Sequence, residues 1–380
     1  MRFFTSVTLL MVITSFCMAQ QNIAIDKDKL FDFYQSQKYA DAAAYLTATY
    51  GDEVSDIKVI NQIAYCYLMA GNLPDAEKYY LKAQALTPNS LPVLFSLGSI
   101  NTRRGNTEKA RTLYKQIVSI DSSNFSVYKL LANLYSSTKD SLKQVYLNKA
   151  NLLNPQDADV AIDLAEVHAA YQKYDQAYEV LKVAIKADTQ NLVLQRTILP
   201  LANQLKKYKE VIVSGQSLLM DGFDAGVAKD VAKAYYYTRN FSRAITLFTL
   251  LEEKGMQNEN TLYFTSLSYR LLKNYIMAAV YAKKTIDEAI SPNTANYYAL
   301  LGLSYEEGGQ YKLANAAYKK GLQFKTIPSI YYHLATLYDT KLNQPKTAKN
   351  YYNLYLKSKP DPKEDQAEIE FTKKRVAQLE

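Results

Sequence analysis

The sequence predicts an all-α chain: a solenoid of about ten helical hairpins, ending in a C-terminal capping helix. Three observations carry this. An apolar residue recurs about every 34 residues, at Ala42, Ala76, Ala110, Ala177, Val211, Ala244, Ala278, Ala314 and Ala348, with one unmarked unit in the 67-residue gap between Ala110 and Ala177. Aromatic residues march in step with it. The third is composition: 380 residues hold 34 tyrosines, no tryptophan, two histidines and two cysteines. Such a chain reads as one packing unit copied many times.

The register justifies each element. With the recurrent alanine at position 20, position 8 holds small residues such as Ala64, Gly98, Ala132, Ala165, Ala232, Ser266, Gly302 and Ala335. Position 11 carries Tyr67, Tyr135, Tyr235, Tyr269, Tyr305 and Tyr338, and position 24 carries Tyr80, Tyr114, Phe248, Tyr318 and Tyr352. At 3.6 residues per turn, positions 4, 7, 8 and 11 share one face of a first helix, and 17, 20, 24 and 27 one face of a second. Gly71, Gly105 and Gly309 fall between the two, where a tight turn needs a permissive backbone. Eighteen of the 34 tyrosines sit at positions 4, 11, 17 and 24, so most of the excess is expected to be core. The other sixteen are expected to hold the functional surface.

This pattern resembles the tetratricopeptide repeat, and residues 57–88 come close to a consensus copy. The resemblance spans residues 23–360 and implies a right-handed superhelix that binds proteins or peptides rather than catalysing a reaction. Three units depart from it. The fourth lacks a residue around Lys139 to Lys143, and the tenth gains one around Leu342 to Pro345. The sixth, 192–224, carries Pro200 in its first helix, which predicts a kink or break there. Asp361 and Pro362 read as N-cap and first residue of a capping helix within 361–380, with Ala367 and Phe371 covering the last repeat.

Residues 1–19 read as a signal peptide: Arg2, an apolar stretch from Phe3 to Phe16, then small residues ending at Ala19. Cleavage after Ala19 would leave Gln20 first, export the chain to the periplasm or outer membrane of a bacterium, and leave Cys66 as its one cysteine. Lipidation at Cys17 is a second reading, poorly served by the bulky Phe16 before it. Retention of the segment as an anchor is a third.

Chemistry is thin. His168 takes a tyrosine position, His333 neighbours the Leu334–Ala335 anchor, and Cys66 lies between Tyr65 and Tyr67, all three reading as packing. No metal-ligand spacing, phosphate-binding glycine loop or nucleophile elbow is present, so neither an enzyme nor a cofactor is expected. The net charge of +8 over 380 residues does not indicate nucleic-acid binding.

The resemblance implies that positions 2, 5, 9, 12 and 13 line a partner-binding groove. From these come the candidates Tyr65, Arg103, Arg196, Lys229, Lys233, Tyr236, Tyr237, Tyr263 and Arg270, followed by the acidic pair Glu306 and Glu307. The expectation is a basic, tyrosine-rich centre with an acidic C-terminal end, suited to an extended protein segment. Family members that clamp chaperone C-termini need basic and amide residues across three units. Lys129 and Asn133 supply one pair, but Asp163, Val193 and Thr197 break the clamp. The function expected is an envelope interaction scaffold. Two alternatives are a carbohydrate-binding component using exposed tyrosines and a membrane-anchored subunit of an assembly or secretion machine.

Overall fold

The computed structural model describes residues 25–289 and 292–379, so the expected signal segment, with Cys17 and Ala19, lies outside the described residues. Among the described residues there are twenty-one α-helices and no strand. The chain divides after Leu153 into two compact units. The first contains α1 (Lys27–Gln35), α2 (Tyr39–Tyr50), α3 (Ile57–Met69), α4 (Leu73–Leu86), α5 (Leu91–Arg103), α6 (Thr107–Ile120), α7 (Phe125–Asn133) and α8 (Ser141–Leu153). The second contains α9 (Ala158–Ala170), α10 (Tyr174–Ala187), α11 (Leu192–Gln204), α12 (Tyr208–Asp221), α13 (Ala225–Tyr237), α14 (Phe241–Glu253) and α15 (Glu259–Leu271). It continues with α16 (Tyr275–Glu288), α17 (Thr294–Glu307), α18 (Tyr311–Phe324), α19 (Pro328–Thr340), α20 (Pro345–Lys357) and α21 (Gln366–Gln378).

Within each unit every helix packs on the next. In the second unit the first helices α9, α11, α13, α15, α17 and α19 also touch one another in turn. A hairpin of this size buries one apolar face and needs a neighbour for the other, so stability comes from stacking. The recurrent residues Ala42, Ala76, Ala110, Ala177, Val211, Ala244, Ala278, Ala314 and Ala348 are all fully buried.

Local chemistry sets the helix starts. Asp56, Asn124, Asp157, Asn191, Asp224 and Asn258 each accept a backbone amide from the first turn of a first helix. The turns within hairpins follow one rule. Position 15 is left-handed in nine repeats, but glycine occupies it only at Gly71 (φ +80°), Gly105 (+76°) and Gly309 (+74°). Gln37, Gln172, Lys206, Arg239, Lys273 and Asn343 adopt the same conformation at φ between 50° and 61°. The hairpin therefore imposes the geometry, and six side chains accept a conformation costing about 1–2 kcal/mol.

The helix approach at position 8 is close where that residue is glycine. A Cβ on Gly98 would lie 2.3 Å from the Tyr114 ring, and one on Gly302 2.3 Å from the Tyr318 ring. Each ring fills the place a side chain would otherwise take.

Several expectations are corrected. The sixteen off-register tyrosines are not all surface: Tyr79, Tyr178, Tyr281, Tyr297 and Tyr355 are buried. The first two, like Tyr281, use their hydroxyls between neighbouring hairpins. Tyr178 donates to Glu210 at 2.6 Å, Tyr281 to Glu252 at 2.8 Å, and Tyr79 to Asp52 at 3.0 Å. Lys207 lies 3.7 Å from the Tyr178 ring centre and Lys284 4.7 Å from that of Tyr281, adding cation–π attraction.

Pro200 lies inside α11, which runs unbroken from Leu192 to Gln204 and packs on α9, α10, α12 and α13. The fourth hairpin shows the effect of its missing residue in α7, which stops at Asn133 and leaves Tyr135 beyond the helix end. The capping helix begins at Gln366, because Asp361 instead closes a turn by accepting the amide of Lys363. Ala367 is exposed, and cover comes from Phe371 against Tyr332 and Tyr352, from buried Thr372, and from Val376 and Leu379. Arg375, expected to face water, forms a two-bond pair with Asp339 at 2.7 and 2.8 Å, which holds that carboxyl below its ordinary range.

Candidate functional site

The second unit gathers most of the candidate residues on α13, α15 and α17, three first helices that touch in turn. Asp224 starts α13 by accepting the amide of Val227, which sets Lys229, Lys233, Tyr236 and Tyr237 along that helix. Asn258 and Thr261 form a reciprocal capping box at α15, which fixes its first turn.

Aromatic rings join these helices. Tyr236 meets Phe264 edge-on at 5.0 Å and Tyr237 at 5.2 Å. Tyr237 stacks on Tyr208 at 5.0 Å and 13°. Tyr263 lies edge-on to Phe264 at 5.9 Å and tilted on Tyr297 at 5.4 Å. Tyr236, Tyr237 and Tyr263 thus belong to one aromatic wall centred on Phe264. Their hydroxyls make no hydrogen bond to another described residue, unlike those of Tyr178, Tyr281 and Tyr318. Burial pushes the Tyr236 and Tyr263 phenols above their ordinary range, while the nearby Arg270 charge opposes it.

The charges differ from the expected pattern. Arg270, placed in a basic centre, and Glu307, placed at an acidic end, form one bidentate pair at 2.9 and 2.6 Å between α15 and α17. Arg196 pairs with Asp224 at 3.6 Å. Lys233 lies 5.8 Å from the Phe264 ring centre, and it and Lys229 act on the carboxyl of Asp230, which burial holds above its ordinary range. The wall is therefore close to electrically balanced. Position along the chain could not show this, because these pairs join different hairpins.

Glu306 turns inward. It accepts the Tyr318 hydroxyl at 2.7 Å, and burial raises its pKa. His333 stacks on the other side of this arrangement, 5.7 Å from the Tyr318 ring at 9°. Burial, with a smaller effect of Arg270, lowers its pKa to about 4. Packing is thus the structural role of His333, as it is of buried His168 and Cys66.

Tyr65 and Arg103 belong to the first unit and are not part of this wall. Tyr65 is 44% exposed and edge-on to Tyr39 at 6.1 Å. Arg103 is exposed in the last turn of α5.

Sequence reasoning missed Phe264, Tyr208, Asn260 and Asn296. The two asparagines stand at position 2, one of the groove positions, but carry neither the charge nor the aromatic ring that marks the other candidates. With Glu259, Tyr263, Phe264, Asn293 and Tyr297 they line a pocket of about 380 Å³ at the start of α15 and α17.

The tetratricopeptide-repeat family profiles match residues 32–90, 91–124 and 328–362. A stretch of 134 residues is 25% identical to human protein O-mannosyl-transferase TMTC1, covering 34% of this chain and 15% of that protein. Similar solved structures include a tetratricopeptide repeat protein from Parabacteroides merdae (15% identity, TM-score 0.35, covering 78% of this chain and 98% of that one). Human IFIT1 aligns at 15% identity and TM-score 0.40, covering 88% of this chain and 82% of that one. Yeast Tom70 gives 15% and 0.35, covering 87% and 75%. Residues 32–124 and 328–362 therefore carry tetratricopeptide repeats, a repeat that generally serves as a protein-interaction scaffold.

Proposed function

We propose that this chain is a non-enzymatic scaffold of the bacterial cell envelope that takes an extended protein segment along the α13–α15–α17 face of its second unit. The observation that carries this is the aromatic wall, where Tyr236, Tyr237 and Tyr263 surround Phe264 with unpaired hydroxyls. Half-buried tyrosines supply contact area at low entropic cost, and their hydroxyls can donate to backbone carbonyls of a partner. Because Arg270 and Arg196 are already paired, a largely neutral segment fits better than the acidic one the sequence pointed to. The envelope setting is supported by the signal-like pattern of residues 1–19, read as cleaved after Ala19 to leave Gln20 first.

Cross-linking in envelope preparations tests both parts. Tyr237→Ala, at a half-exposed ring, is expected to weaken capture of the native partner by about tenfold, in the range of an interface aromatic. Mass spectrometry of the same sample is expected to find Gln20 at the N-terminus. Undiminished capture by the variant would remove this face from the partner site, and an intact Met1 would remove the cleaved form.

A further inference from the structure

We propose that the pocket between the first turns of α15 and α17 binds a neutral sugar unit, a hexose or N-acetylhexosamine. Its volume, about 380 Å³, lies in the small-ligand range of roughly 300–1,000 Å³. Three features of its lining match sugar chemistry and no single one is sufficient alone.

The first is an apolar wall. Tyr263 is held between Phe264 at 5.9 Å and Tyr297 at 5.4 Å, so its ring is fixed in the lining before any ligand arrives. The C–H face of a pyranose ring is the complement of such a surface. The second is a pair of amides. Asn260 and Asn296, one from each helix, are exposed, and their side chains make no hydrogen bond to another described residue. Each amide carries an acceptor oxygen beside a donor nitrogen, the pairing that two adjacent hydroxyls require.

The third is charge. Glu259 is the one ionisable carboxylate in the lining, and it accepts the hydroxyl of Tyr297. With no cation among the lining residues, an anionic ligand is disfavoured. An apolar peptide side chain would leave both amides unpaired, at about 1–3 kcal/mol for each buried group. A neutral polyol satisfies all three. The Asn258–Thr261 capping box and the buried Ala295 fix the two turns that present these groups. The pocket shares Tyr263 and Phe264 with the protein-segment face, but its amides lie outside the Tyr236–Tyr237 surface, so the amide variants and Tyr237→Ala separate the two readings.

The full-length chain is titrated with glucose, mannose, galactose and N-acetylglucosamine, and binding is read by saturation-transfer NMR. At least one sugar is expected to show saturable transfer with a dissociation constant of about 1 mM or tighter. The N260A/N296A double variant is expected to lose about tenfold or more in affinity with its thermal melt unchanged, because both side chains are exposed. Tyr263→Ala should lose a comparable amount, and Tyr237→Ala should bind sugar like the parent chain. Absence of saturable transfer for all four sugars, or equal binding by the double variant, overturns the proposal. If Tyr237→Ala abolishes protein capture while sugar binding persists, the sugar site stands as separate from the protein-binding face.

Discussion

The third and ninth hairpins solve one packing problem with different chemistry. In both, glycine at position 8 admits a tyrosine ring from position 24: Tyr114 over Gly98, and Tyr318 over Gly302. In both, position 12 meets the hydroxyl of that tyrosine. The partner in the third hairpin is Thr102, at 3.3 Å, which also donates to the carbonyl of Gly98 at 2.9 Å. The partner in the ninth is Glu306, at 2.7 Å. A neutral hydroxyl can be satisfied locally, within its own helix turn. A half-buried carboxylate depends on the tyrosine, and it brings a titratable group into the wall beside Arg270 and Glu307. The shared steric fit is therefore a matter of stability, and the differing acceptor decides which hairpin responds to solution conditions.

The largest test removes what the two have in common. Gly98→Ala and Gly302→Ala each drive a methyl group into a ring, and each is expected to cost about 3 kcal/mol, the upper part of the overpacking range. Hydrogen exchange of α5–α6 and α17–α18 reads this locally. If either substitution is neutral, the close approach is not a constraint in that hairpin.

A smaller change separates them. Tyr318→Phe strips Glu306 of its donor and should cost about 1–3 kcal/mol, as expected for a buried group left unpaired. Tyr114→Phe should cost about 0.5–1 kcal/mol, because Thr102 keeps its bond to Gly98. Equal losses by the same exchange measurement would show that the acceptor's charge does not matter.

In the pH response two groups oppose each other. Burial raises the pKa of Glu306 above its ordinary 4.5, so the folded chain holds that proton at higher pH than the unfolded chain does. Acidification through the raised value toward 4.5 therefore stabilises the ninth hairpin. His333 has the reverse sign. Its pKa falls from 6.5 to about 4, so the unfolded chain protonates first and stability is lost between those values as pH falls. Arg270 and Glu307 bear on this pair, and Lys341 bears on Glu306. His333→Gln should remove the His333 loss and leave the Glu306 contribution, so the variant should gain stability relative to the parent as pH falls below 6.5. The third hairpin, with Thr102 and Leu130 in the matching places, should show neither trend. A parent-like profile in His333→Gln would count against the assignment.

The hairpin fold was legible because each anchor repeats: Ala42 and its successors, the Gly98 and Gly302 approaches, and the tyrosines at position 24 all behave as their register implies. Less legible was whatever depends on the spacing between hairpins. Arg270 and Glu307 lie 37 residues apart, and only the stacking of α15 on α17 makes them partners. Tyr178 and Tyr281 looked off-register because the face they occupy is shared with an adjacent second helix, α12 for Tyr178 and α14 for Tyr281. The left-handed residue at position 15 was visible only where it is glycine. At Lys206 or Arg239 the backbone obeys the hairpin and the side chain gives no sign of it. For the candidate site, Tyr236, Tyr237 and Tyr263 were found by residue type. Asn260 and Asn296 were not, since an asparagine at a helix start ordinarily signals only a cap.

The tyrosine links between hairpins also bear on how the chain would respond to tension. Tyr178 and Glu210 are separated by 32 residues, Tyr281 and Glu252 by 29, and Tyr79 and Asp52 by 27, so each link ties off nearly one whole repeat. A pull along the chain loads these ties before it extends the segment between them. Releasing one frees a hairpin that can lengthen to about 110 Å, at roughly 3.3 Å for each of about 34 residues. The three tied repeats would then yield in separate steps rather than together.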